Sequence, residues 1–166
     1  MLTIDESTIF QTASHKPVSL DDIIELISNF IAVDPGREYR LSVGTDSMTY
    51  ESTYFVLAIV LHRVGNGGIY FYKRLQHPAI RNLRDKLYQE TQLSLDAVEL
   101  LISRLLEDHE DLYEKLKLSI HLDIGENGPT KELIRELEGW VHALGYNCEI
   151  KPDSYAASTI ANMHSK

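Results

Sequence analysis

Two short stretches of the chain have the same form, Ser42-Val43-Gly44-Thr45-Asp46-Ser47 and Ser119-Ile120-His121-Leu122-Asp123. Each follows Ser-[Val/Ile]-x-x-Asp, so the Asp shares parity with the Ser. In a strand, equal parity means one face of the sheet. Two such strands lying side by side and parallel would set the carboxylates of Asp46 and Asp123 about 5 Å apart. Like charges that close are unfavourable unless a cation sits between them or one carboxyl keeps a proton. The pair therefore points to a divalent metal site. The plainer reading makes both Asp residues the first polar positions of loops that follow buried strands.

Further polar residues fall where they could join such a site. A long helix is predicted over 80–107, with Leu83, Leu87, Ser94, Ala97, Leu101 and Leu105 on one stripe. Glu90 lies in the middle of that stripe, and an inward carboxylate is costly unless something pairs with it. It is either a metal ligand or general base facing the sheet, or a stripe-edge residue paired with Lys86. The order Lys before Glu is the weaker one for such a pair. Asp153 or Ser154 caps a last predicted helix over 155–163, and the plain role of Asp153 is that N-cap; the spare lone pairs of a capping carboxylate leave room for ligation. His164 shares a face of that helix with Asp153, Ala157 and Ile160. Gly125-Glu126-Asn127-Gly128-Pro129-Thr130-Lys131 leads into another helix, with Pro129 near its first position. Such an N-terminus can hold phosphate on its free N–H groups, with Thr130 and Lys131 adding a hydroxyl and a cation. The spacing is not that of a Walker A loop, and an ordinary strand-to-helix turn is the alternative.

The elements that must position these residues follow from hydrophobic period and breakers. Ser19-Leu20-Asp21-Asp22 is a capping-box start with Asp in place of Glu. Ile23, Ile24, Ile27, Phe30 and Ile31 continue that helix until Asp34-Pro35-Gly36 breaks it. Strands are predicted over 39–46, 53–62 and 69–74. The continuous apolar run of the second suits a strand covered on both faces. Gly65-Asn66-Gly67-Gly68 turns the chain between the second and third. A strand over 116–124, a helix over 131–144 and a strand over 147–151 complete the order. Residues 1–18 show no period and read as an extended arm, with one domain over 19–166. The expected architecture is α/β: a mixed five-stranded sheet, a three-strand antiparallel meander plus two parallel strands, with helices on its faces and an extra N-terminal helix.

Composition narrows the function classes. The chain has 166 residues, a net charge of −9 and one cysteine, Cys148. It has no apolar run of 18 or more, hence no expected membrane span. Without a visible signal peptide or a possible internal disulfide, the expected compartment is the cytoplasm. An acidic chain must rely on a local basic patch, or on bound metal ions, to hold nucleic acid.

The order of elements resembles that of the ribonuclease H-like fold, and Asp46, Glu90, Asp123 and Asp153 fall where that fold carries its metal ligands. The chain resembles the YkuK-like family of bacterial ribonuclease H-like proteins from about residue 17 onward. The resemblance rests on Val43-Gly44-Thr45-Asp46-Ser47, Glu90-Thr91-Gln92-Leu93-Ser94-Leu95 and His121-Leu122-Asp123 through Lys131. It continues in Gly139-Trp140-Val141 and Lys151-Pro152-Asp153-Ser154-Tyr155-Ala156-Ala157-Ser158. It implies a nuclease in which the four carboxylates hold two Mg²⁺ or Mn²⁺ ions against a scissile phosphate of RNA or DNA. On that reading Thr130, Lys131 and Lys151 steady phosphate oxygens and His164 assists product departure. Proteins of this fold do other chemistry too, and the acidic charge also suits a non-catalytic regulatory module that acts through a protein partner.

Overall fold

The computed structural model of the chain describes residues 2–125, 131–151, 154, 160 and 164. In chain order the elements are β1 (Phe10–Thr12), β2 (Pro17–Val18), α1 (Leu20–Val33), β3 (Tyr39–Thr49), β4 (Ser52–Arg63) and β5 (Gly68–Pro78). Then follow α2 (Leu83–Asp108), α3 (Glu110–Glu114), β6 (Leu116–Leu122), α4 (Lys131–Ala143) and β7 (Asn147–Glu149). The strands form one mixed sheet in the order β2-β1-β5-β4-β3-β6-β7. The antiparallel meander β3-β4-β5 and the parallel additions β6 and β7 are the five expected strands.

The sheet has seven strands because the arm contributes two. Phe10 is fully buried and Val18 nearly so, and β1 pairs antiparallel with β5 through Gln11 and Thr12. Strands of three and two residues are too short to show a period. Tyr72 on β5 fastens them: its hydroxyl donates to Gln11 Oε1 at 2.8 Å and shares a 2.6 Å hydrogen bond with His15 Nδ1. Tyr72→Phe should remove both bonds, lower stability by about 1 kcal/mol and loosen residues 10–18. Amide exchange over those residues measures the effect, and unchanged protection would show that burial of Phe10 alone holds the arm.

The capping box of α1 forms as its sequence suggests. Ser19 Oγ accepts from the Asp22 N–H at 3.1 Å, and Asp22 Oδ2 accepts from the Ser19 N–H at 3.0 Å. β4 is covered on both faces, with Phe55 through Ile59 fully buried. β3 runs three residues beyond Asp46, because Ser47, Met48 and Thr49 keep pairing with Phe55, Tyr54 and Thr53. α2 starts at Leu83, after Asn82 caps the Asp85 N–H at 3.1 Å. Leu83 therefore sits in the first turn and is half exposed rather than on the buried stripe. Leu144, expected on the α4 stripe, lies past the helix end and is exposed. Gly145, at φ +89°, supplies the left-handed residue that ends that helix. The predicted helix over 155–163 falls largely outside the described residues, although Ile160 and His164 are helical. Among the described residues, no helix is long and apolar enough to cross a membrane.

The two faces of the sheet do different work. Leu41, Val43, Thr45 and Ser47 of β3 face α2, where Thr45 Oγ1 and Ser94 Oγ are hydrogen-bonded at 2.8 Å. Ser42, Gly44, Asp46 and Met48 face the other way, opposite Val60, Ala58, Val56 and Tyr54 of β4. Val56, Ala58 and Tyr72 form a separate small apolar cluster there, with Ile160 packed against it.

Candidate functional site

The repeated Ser-[Val/Ile]-x-x-Asp pattern is in register. β3 and β6 pair in parallel with Ser42 beside Ser119, Val43 beside Ile120, Gly44 beside His121 and Thr45 beside Leu122. The next step brings Asp46 and Asp123 together. The ladder stops at Leu122, so Asp123 stands at the open end of β6 while Asp46 still lies within β3. The two carboxyl groups are close enough to share a hydrogen bond.

That contact changes the acidity of Asp46. Burial, the hydrogen bond to Asp123 and the charge of Asp123 raise its pKa from 3.8 to about 7; the Ser47 N–H, at 2.8 Å from Oδ1, and the Lys151 ammonium pull the other way. Close like charges of this kind favour protonation of one carboxyl. Lys151 Nζ lies 2.9 Å from Asp123 Oδ1 and is about half exposed. Gly125 allows this approach: a Cβ there would meet the Lys151 Cβ at 3.3 Å. Lys151→Met should raise the Asp46 pKa further, since a cation that favours the charged form is lost, and should lower stability at pH 8 by about 1 kcal/mol or less. A carboxyl NMR titration reads the shift, and an unchanged Asp46 midpoint would show that Lys151 acts on Asp123 alone.

Glu90 does lie on the inward face of α2, only 8% exposed. It accepts from Ser47 Oγ at 2.6 Å, and Lys86 acts on it only through its charge. Burial raises its pKa well above the usual carboxylate value, the Ser47 hydroxyl lowers it, and the charges of Asp46 and Asp123 raise it again. Glu90 and Asp123 line one small cavity of about 10 Å³, together with Thr45, Ser94 and His121. Such a space holds one water at most.

The other sequence-derived positions divide. Lys131 is exposed at the first residue of α4. Asp153 and Thr130 lie outside the described residues. His164 is placed away from the carboxylates: it stacks on Tyr72 at 3.8 Å between ring centres, and its Nε2 lies 3.1 Å from Tyr70 Oη. Tyr72 is two strands from β3, opposite Ala58, which in turn faces Gly44. Two residues of the site were not singled out from the sequence. Ser47 fixes the Glu90 carboxyl. His121, buried on the Asp123 face, shares a 3.2 Å hydrogen bond through Nδ1 with the Ser154 carbonyl and is held neutral by burial. Parity with Asp123 was the signal available for His121.

Among the described residues, no three His, Cys, Asp or Glu side chains stand as a metal-binding group. Asp46 and Asp123 form the assembled pair, and Glu90 is turned to Ser47. Carboxylate oxygens are hard donors that suit Mg²⁺ or Mn²⁺, and the facing carboxyls mark where a cation would relieve repulsion.

The sequence profile of the ribonuclease H-like family matches residues 22–166. The chain is also 36% identical over 171 residues to the uncharacterized protein YkuK of Bacillus subtilis (strain 168), an alignment that covers 97% of this chain and 99% of that protein. No solved structure matches. With a mixed sheet whose two parallel neighbours β3 and β6 present paired carboxylates, the chain belongs to the YkuK-like group of the ribonuclease H-like family.

Proposed function

We propose that the protein is a metal-dependent nuclease that hydrolyses phosphodiester bonds of nucleic acid. The observation that carries this reading is the Asp46–Asp123 pair, two carboxyls within hydrogen-bonding reach just past the β3–β6 ladder, in a chain of this family. Asp46 and Asp123 would hold the metal, with Glu90 and Asp153 completing the set. Bound Mg²⁺ or Mn²⁺ would supply an activated water and charge stabilisation for the leaving oxygen. The Ser47 hydroxyl holds the buried Glu90 carboxyl in a fixed orientation behind the pair. Lys151, half exposed beside Asp123, would meet a phosphate oxygen, and Lys131 and Thr130 would share that task. His164 carries no role in this scheme, because its contacts are with Tyr70 and Tyr72.

The test is hydrolysis of labelled RNA, DNA and hybrid in Mn²⁺ or Mg²⁺ by the wild type and by Asp46→Asn. Cleavage lost in the variant supports the reading. Equal cleavage by both proteins rules it out. The net charge of −9 favours one second reading, a non-catalytic regulatory module that binds a protein partner; absence of turnover on every substrate, with no stabilisation by either metal, would favour it.

A further inference from the structure

Beside the carboxylate pair, on the same face of the sheet, lies a group of aromatic and cationic side chains that the reaction scheme does not use. Tyr54 on β4 pairs with Met48 and so faces the same way as Asp46. It stands one strand over and two residues along from Asp46, about 8 Å between backbones. Arg74 on β5 is opposite Val56, which is opposite Asp46. Its guanidinium lies 4.3 Å over the Tyr54 ring. Tyr50, in the turn between β3 and β4, has its ring centre 6.5 Å from that of Tyr54 and is 54% exposed. Arg81 bonds the Tyr50 carbonyl at 3.2 Å through Nη2. Beyond the two tyrosines, an open groove of about 540 Å³ runs past Glu51, Ser52, Gln76, His77 and Pro78, so its mouth carries one exposed carboxylate.

Charge says what this surface would take. The protein is acidic, and four of its arginines (Arg37, Arg40, Arg84 and Arg104) are matched to carboxylates. Arg74 and Arg81 have no acidic partner within 4.0 Å among the described residues, and both are exposed. Two unneutralised guanidiniums beside two tyrosine rings form the local basic patch that an acidic nucleic-acid enzyme needs. Guanidinium and aromatic planes stack on unpaired bases. In a duplex the bases stack on one another and cannot reach such planes.

We propose that Tyr50, Tyr54, Arg74 and Arg81 form a stacking platform for single-stranded nucleic acid, which leads the strand from the groove at the β3–β4 turn towards Asp46 and Asp123. The inference rests on the phosphodiesterase reading for its direction and deepens it by naming the strand state of the substrate. Bases stack on the Arg74–Tyr54 pair and on Tyr50, the guanidiniums meet backbone phosphates, and the row Arg74, Val56, Asp46, Asp123 ends at Lys151.

The test is binding in EDTA at low salt, where hydrolysis plays no part. Fluorescence anisotropy would follow labelled single strands of about twelve nucleotides, both DNA and RNA, against a duplex and a hybrid of equal length. The wild type should favour the single strands. Tyr54→Ala and Arg74→Gln should each weaken that binding about tenfold or more, while Tyr54→Phe binds as the wild type does. Asp46→Asn should bind at least as tightly, since it removes a like charge from the phosphate path. Unchanged binding by Arg74→Gln and by a folded Tyr54→Ala overturns the platform, as does a wild type that prefers duplex or binds no oligonucleotide. Metal-dependent cleavage that survives alongside such a result would leave the nuclease reading intact. Tyr54-dependent binding without cleavage in any metal would instead keep the platform and remove the nuclease.

Discussion

Asp46→Asn should abolish hydrolysis and, in the absence of metal, make the protein more stable at pH 8. The first effect follows from the proposed role. Groups that merely orient metal ligands are worth about 10–100-fold in affinity or activity, so loss of a carboxylate that would itself hold the metal should reach roughly a thousandfold or more. The second follows from the raised pKa. The Asp46 carboxyl titrates near 3.8 in an unfolded chain and at about 7 in the fold. Its contribution to stability is therefore fully present below pH 3.8 and is lost as pH rises through about 7. Above that, the fold holds a charge it disfavours, by at most about 4 kcal/mol at 1.36 kcal/mol per pH unit. Asn mimics the protonated carboxyl in shape, keeps an acceptor for the Ser47 N–H and can donate to Asp123. It should recover about 2–4 kcal/mol at pH 8, roughly 5–15 °C in Tm for a domain of this size, and little at pH 4. Thermal melts at both pH values in EDTA check this; equal melting of the two proteins at pH 8 would mean that Asp46 is not held near neutral pH. Mn²⁺ should then narrow or close the gap, stabilising the wild type by about 2.7 kcal/mol at a hundredfold excess over Kd and leaving the variant unmoved.

Glu90→Gln is expected to retain the fold and lose most of the activity. The Glu90 carboxyl is buried, and the fold favours its protonated form. Gln reproduces that form and still accepts the Ser47 hydroxyl, which donates at 2.6 Å. The stability that the protonated acid contributes is lost in the wild type as pH rises through the folded pKa. The variant has no such slope and should equal or exceed the wild type in alkaline solution. Glu90→Ala differs: it opens a cavity and leaves the Ser47 hydroxyl without its acceptor, at a cost of about 2 kcal/mol or more. If Glu90 enters the metal set, hydrolysis should fall by roughly a hundredfold in both variants. Full activity in Glu90→Gln would assign the residue to holding Ser47 and α2, and leave the chemistry to Asp46, Asp123 and the remaining carboxylate.

Much of this arrangement is legible in the sequence. Period-2 parity in two matching pentapeptides placed Asp46 and Asp123 on one face, and the matching pattern turned out to be the pairing register itself, Ser42 beside Ser119. The apolar run of β4 announced a strand buried on both faces. The capping box at Ser19 marked the start of α1, and the stripe on α2 placed Glu90 inward. These features are local: each is a repeat or a boundary that short-range backbone geometry converts directly into direction. What the sequence could not determine depended on which strands become neighbours. β1 and β2 have too few residues for a period and exist because Tyr72 and the buried Phe10 hold them to β5. His164 shares a helix face with Asp153 in the linear pattern, yet stacking on Tyr72 draws it two strands away from β3. Tyr54 and Arg74 are twenty positions apart and meet only through the antiparallel register of β4 and β5. The near-neutral pKa of Asp46 is likewise a tertiary property, since residue type sets a carboxyl's ordinary acidity while burial and a facing carboxylate decide how far it moves.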